Sequence, residues 1–185
     1  MSIAVSLIAF DTGVNTDFAG GSNPSAENAN FYIATTGEPI NDTYKFECQL
    51  LLNAKIYLAV PASHRFAKRV GLDLAEAKDE WFVNSPINTS FRAFCDNLCR
   101  EAGFVPKSRI ECDYILRPRM LLNENMVCLA TSIGQYSGLY DGIVMIPIVN
   151  PVRTRPQAIY WRSGAYLFKS ALIFRDFMID YCSKL

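Results

Sequence analysis

The chain has 185 residues, enough to bury a core as one domain or two small lobes. Half of the residues are apolar and 19% are charged, which excludes disorder as a whole-chain state. Eighteen Lys and Arg cancel eighteen Asp and Glu, so the basic excess of a chain that grips nucleic acid by itself is missing. No apolar run approaches the ~20 residues that span a bilayer. The N-terminal stretch lacks the basic segment of a secretion signal. Cys48, Cys95, Cys99, Cys112, Cys128 and Cys182 form no Cys-x-x-Cys pair and stand mostly among apolar neighbours. A reduced, cytoplasmic compartment is the expectation, although an even count also allows disulfides.

Residues 3–10 read as a buried strand. Residues 11–30 hold few large apolar side chains and read as a loop or a weak helix. A second strand is expected at 31–35, ending in the turn Thr36-Gly37-Glu38-Pro39. Residues 46–52 and 55–60 read as two extended segments separated by Asn53-Ala54. A polar turn carrying His64, the only histidine, follows, then a short helix at 72–77 and a short buried strand at 80–83. The clearest helix is expected over 90–102. Phe91, Phe94, Cys95, Leu98, Cys99 and Ala102 recur there at i, i+3, i+4 and i+7. Asn88, Thr89 and Ser90 offer caps at its start, and Gly103 supplies its stop. Beyond it come a strand at 110–115, a helix at 118–124, and strands at 126–131, 142–148 and 158–161. The tyrosine-containing loop at 135–140 is either a pocket wall or an exposed loop. A last helix at 167–181 places Leu167, Ala171, Phe174, Met178 and Tyr181 on one side. Strands alternating with helices imply an α/β architecture with largely parallel sheets.

The segment Asn84-Ser85-Pro86-Ile87-Asn88-Thr89-Ser90 is the strongest ligand candidate. It follows a strand and opens a helix, whose unpaired N–H groups and partial positive charge suit a carboxylate or phosphate. Ser85, Thr89 and Ser90 add hydroxyls and Asn88 an amide, but such residues also serve simply as caps. Cys95 and Cys99 lie on the apolar stripe of the helix and read as core rather than metal ligands. Asp113, Arg117 and Arg119 could bind an anion at a cleft rim but read first as a solvated face, and Arg153, Arg155 and Arg162 read as a solvated strand edge. With no Gly-x-Ser-x-Gly elbow, a single histidine and no phosphate-binding glycine loop, no catalytic residue, metal site or cofactor is expected.

Two motifs identify a family. The strand Tyr57-Leu58-Ala59-Val60 runs into Pro61 and the turn Ala62-Ser63-His64-Arg65-Phe66-Ala67. Further on comes Glu101-Ala102-Gly103-Phe104-Val105-Pro106, with Glu111 five residues past the proline. This order resembles the effector-binding domain of LysR-type transcriptional regulators, whose motifs read Val-Pro-x-x-His-Pro-Leu-Ala and Ala-Gly-Phe-x-Pro-x-x-x-x-Glu. Arg65 and Phe66 depart from the first motif, and residues 121–132 lack the glycines and proline of a third. The strand at 31–36, Ala158-Ile159-Tyr160-Trp161-Arg162 and the final helix are similar to further family elements. Nothing pairs two short helices with a basic recognition face, and the first strand–helix unit of the domain is not evident, so the chain reads as an excised fragment rather than the alternative, a degenerate stand-alone member.

The resemblance implies an α/β fold of two Rossmann-like lobes joined by crossover strands, like type 2 periplasmic binding proteins, with the first lobe incomplete at its N-terminus. Residues 1–58 plus 150–185 would form lobe I and 59–149 lobe II. A small anionic effector, such as a carboxylate, would bind between them through Thr35, Thr36, Ser85, Asn88, Thr89, Ser90 and Asn125. It would change the angle between lobes and so the geometry of a homodimer or tetramer. DNA would be reached only through a winged helix-turn-helix domain absent from this chain, with no membrane partner and no catalysis. A transport-type solute-binding protein and a ligand-free dimerisation module are the alternatives.

Overall fold

A computed structural model describes residues 7–10, 31–35, 46–87, 89–132 and 141–184. The expectations for 11–30 and for the 135–140 loop fall outside these residues. The chain divides into two compact units, one of residues 1–53 and 156–185, the other of residues 54–155. These limits differ from the expected 58/59 and 149/150 because Ile56 and Leu58 already pack in the core of the second unit.

In the first unit, β1 (Leu7–Phe10) pairs in parallel with β2 (Phe31–Thr35), and β2 pairs antiparallel with β9 (Thr154–Arg162). Strand β3 (Phe46–Pro61) lies next to β9 in the same sheet. Helix α3 (Lys169–Cys182) completes the core, where Phe31, Leu51, Ile159, Ala171 and Cys182 meet Phe174 and Met178. The ring of Phe31 lies 6.1 Å from that of Phe174 and meets Trp161 edge-on at 6.4 Å. The expected helix stripe needs one correction: Tyr181 is exposed and Cys182 is buried. At about 100° per residue, position 182 returns to within ~20° of Ala171, whereas 181 lies ~80° away.

The second unit is built on the other half of β3. There β3 pairs antiparallel with β7 (Cys128–Thr131) and with β8 (Ile143–Asn150), and β8 pairs in parallel with β4 (Leu72–Asp73). A parallel ribbon of β5 (Trp81–Asn84) and β6 (Lys107–Glu111) is bridged to Val127 through Phe82. Residues of β3 alternate between two cores. Ile56, Leu58 and Val60 join Phe82 and the stripe Phe91, Cys95, Leu98 and Cys99 of α1 (Ser90–Glu101). Ala59 joins Val83, Cys128, Ala130 and Leu121 of α2 (Arg117–Glu124). One sheet thus buries both faces, one against each helix, which is the layered α/β solution.

Three expectations change at this level. Asn53-Ala54 does not divide β3: Ala54 is fully buried and begins the alternation that continues through Ile56 and Leu58. The strand expected at 110–115 instead spans 107–111. Cys112 N–H donates to the Asn84 carbonyl, after which the N–H groups of Leu116 and Arg117 turn back onto the Asp113 carbonyl. The sheets are mixed rather than largely parallel, because β3 and β9 run through both units and meet antiparallel partners.

His64 is a structural residue of its turn. Its Nδ1 accepts from Phe66 N–H at 3.3 Å and its Nε2 lies 3.3 Å from Glu80, which also accepts from Arg65. Among the described residues no helix is long and apolar enough to cross a membrane, which says nothing of a β-barrel.

Leu58 is fully buried between β7, β8 and α1. Leu58→Ala is therefore expected to lower stability by about 3 kcal/mol, read as a lower urea midpoint at unchanged slope. Leu50→Ala, at an exposed position of the same strand, is expected to change it by less than about 1 kcal/mol.

Candidate functional site

The polar interior of the second unit gathers where β5 hands over to α1. Arg92 fixes this loop. It donates to the Ser85 carbonyl at 3.0 Å, to both Asp96 oxygens and to Glu111 at 2.7 Å. Thr89 is the cap of α1: its hydroxyl accepts from Arg92 N–H at 3.1 Å and donates to the Pro86 carbonyl at 2.9 Å. Its side chain is thereby committed, while the first-turn N–H groups of α1 keep their positive end of the helix dipole.

Two arginines reach this helix start from other elements. Arg117 opens α2 and is 4% exposed; Arg155 lies on β9 and is 2% exposed. Arg117 Nη2 donates to Ser85 Oγ at 2.6 Å, and Arg155 Nη2 donates to Ser90 Oγ at 2.7 Å. Their guanidinium carbons lie 5.6 and 4.9 Å from the centre of the Phe91 ring, within cation–π range. Each serine oxygen accepts from a guanidinium, so each hydroxyl proton points elsewhere and is free for another acceptor.

The charge of Arg117 is not neutralised by the described residues. Asp96 and Glu111, which reach this loop, are both held by Arg92. Arg117 also donates to the Cys128 thiol, but burial pushes that thiol up to about 11, against the pull of the guanidinium. Burial raises Cys95 and Cys112 as well, again outweighing the Arg117 charge. These thiols are neutral at pH 7. Arg117 Nε and Asn84 Nδ2 are buried donors that meet no acceptor among the described residues.

The structure therefore brings Ser85, Thr89 and Ser90 together. Asn125 lies at the far end of α2 from Arg117, exposed and in the left-handed region at φ 50°, where it closes the helix. Thr35 ends β2 in the other unit. Thr36 and Asn88 lie outside the described residues. Two sequence expectations are overturned: Arg117 and Arg155 are buried, not solvated, although Asp113, Arg119, Arg153 and Arg162 are exposed. Strand alternation could have shown that Arg155 shares a face with Gln157 and Ile159, which are also buried. For Arg117 only the following proline, in the first turn of α2, was informative.

All six cysteines are free thiols. Burial raises Cys99 to about 12 and Cys128 to about 11, and such groups hold their protons more tightly folded than unfolded. Their contribution is fully present below the ordinary thiol value of ~8.5 and is lost as pH rises toward the folded values. The melting temperature is expected to be level from about pH 7 to 8 and to fall between about pH 9 and 11. Cys128→Ala is expected to flatten part of that fall, which a pH series of thermal melts measures.

Comparison with known proteins places this geometry in a family. The model of the LysR substrate binding domain matches residues 28–183. The transcriptional dual regulator GltC of Bacillus subtilis (strain 168) is 28% identical over 138 residues, covering 74% of this chain and 46% of that protein. The chain spans about half the length of the curated relatives it matches. Among solved structures, the effector binding domain of QuiR in complex with shikimate superposes with a TM-score of 0.70 at 18% identity, covering 86% of this chain and 74% of that one. The BenM effector binding domain with benzoate gives 0.67 at 18% identity, covering 89% and 76%. These likenesses carry the two-lobed fold of type 2 periplasmic binding proteins, and with a family model matching most of its length, this chain belongs to the LysR substrate binding domain family.

Proposed function

We propose that this domain senses a small organic carboxylate at the start of α1 and performs no catalysis. One observation carries the reading: Ser85 and Ser90, at the entrance to α1, each accept a hydrogen bond from a buried arginine, which leaves their hydroxyl protons to donate to a ligand. Hydroxyl protons, first-turn N–H groups and guanidinium charge all call for an anion. Among the described residues His64 is engaged by Phe66 N–H and Glu80 in its own turn, and Asp96 and Glu111 are paired with Arg92, which leaves them poorly placed to take a proton. The ligands of the QuiR and BenM structures, shikimate and benzoate, are both carboxylates, which agrees with the donor set found here.

The stretch of this chain that matches covers about half the length of each relative. In this reading the domain serves a cytoplasmic bacterial transcriptional regulator that works as a dimer or tetramer. Its DNA contact comes from a winged helix-turn-helix domain that is not among the elements described. Ligand binding acts by favouring one arrangement of the regulator over another.

A thermal-shift screen of sodium carboxylates tests this directly, because a ligand of the native state raises the melting temperature with dose. Ser85→Ala and Ser90→Ala are each expected to weaken the hit by about 1.5–3 kcal/mol, the worth of a hydrogen bond to a charged group, seen as a 10-fold or greater rise in Kd by calorimetry. Thr89→Ala is expected instead to cost about 1 kcal/mol of stability through the lost cap. A carboxylate that binds both serine variants as tightly as the parent places the site elsewhere.

A further inference from the structure

We infer that Arg117 is held as an incomplete buried ion pair whose missing half is the carboxylate of the ligand, so that the charge which reads the ligand also destabilises the ligand-free domain. The inference rests on the preceding reading of the α1 start and adds the residue that reads charge and the cost it carries.

The argument begins with what Arg117 cannot do. A buried lysine or histidine can shed its proton, but a guanidinium keeps its charge under all ordinary conditions. Arg117 is 96% hidden from solvent, being 4% exposed. Its neighbours explain only part of it: Ser85 Oγ takes Nη2, the Cys128 thiol lies beside the guanidinium, and the Phe91 ring lies alongside. All of these are neutral. Among the described residues the Nε–H meets no acceptor, and neither does Asn84 Nδ2, one residue from Ser85. The acids that could have served, Asp96 and Glu111, are both turned to Arg92. A buried cation without a counter-ion is costly, and a ligand anion that completes it would relieve that cost. A carboxylate has the two acceptor oxygens that a guanidinium edge matches. It would sit where the α1 dipole and the hydroxyls of Ser85 and Ser90 already point. Arg155, tied to Ser90 and also beside Phe91, adds to the positive field there.

The test separates this from a purely structural arginine. Arg117→Met keeps length and apolar stem but removes the charge, and Arg117→Lys keeps the charge without the fork. Thermal melts of the parent and both variants are recorded without ligand. They are then repeated with sodium benzoate, sodium shikimate and sodium succinate against sodium chloride at equal ionic strength. The expected result is that Arg117→Met melts higher than the parent without ligand, and that at least one acid stabilises the parent. That acid should fail on Arg117→Met and act weakly on Arg117→Lys. A ligand-free Arg117→Met that melts below the parent makes Arg117 a structural residue and overturns the inference. If the acid shifts Arg117→Met as much as the parent, the sensor reading stands and Arg117 is not its charge reader. If no acid shifts the parent, both readings fall together.

Discussion

The alternation along β3 is the constraint on which the second unit depends. Leu58 and Ala59 are neighbours in sequence, yet one points into the core shared with α1 and the other into the core shared with α2. A strand buried on both faces needs a helix on each side. Once Phe91, Cys95, Leu98 and Cys99 are committed to one face and Leu121 to the other, the two helix starts are fixed at the same end of β5. Ser85 leaves that strand and meets the residue that opens α2. The site follows from layer packing before any ligand chemistry is invoked.

What gathers at this point is an excess of donors. Arg92 is fully matched by Asp96, Glu111 and the Ser85 carbonyl and acts as the clamp of the loop. Arg117 has only neutral partners. The difference between these two arginines, one satisfied and one not, separates scaffold from recognition within a single loop. The buried thiols belong to the scaffold. Held protonated by burial, they fill space around Arg117 without competing for its charge.

Much of this was legible in the sequence because it is periodic. The stripe of α1, its Thr89 cap and the Gly103 stop were written in adjacent residues, and helix and caps stand where they were expected. The two motifs around His64 and Gly103 pointed to the family that the comparisons show. Less legible was anything decided by distant contacts. Arg117 and Arg155 carry the charge that normally marks a surface, and only Ser85 and Ser90, 32 and 65 residues away, reveal that they are interior. The continuity of β3 through Asn53 was hidden for a similar reason, since a polar residue at an exposed strand position looks like a break. Asn125, which the resemblance placed among the ligand residues, is exposed with a left-handed backbone and ends α2.

The central claim is that a carboxylate docks at the α1 start against Arg117. The most direct measurement is a nitrogen–proton NMR titration of the labelled domain with the best carboxylate from the thermal screen, following the backbone amides of Ser85, Ser90 and Phe91 and the Arg117 Nε–H. The account predicts that these resonances move together along one saturable curve, with the Nε–H shifting downfield as it gains an acceptor. Saturable binding that leaves the Arg117 Nε–H and the α1 amides unmoved, while resonances elsewhere shift, would contradict it.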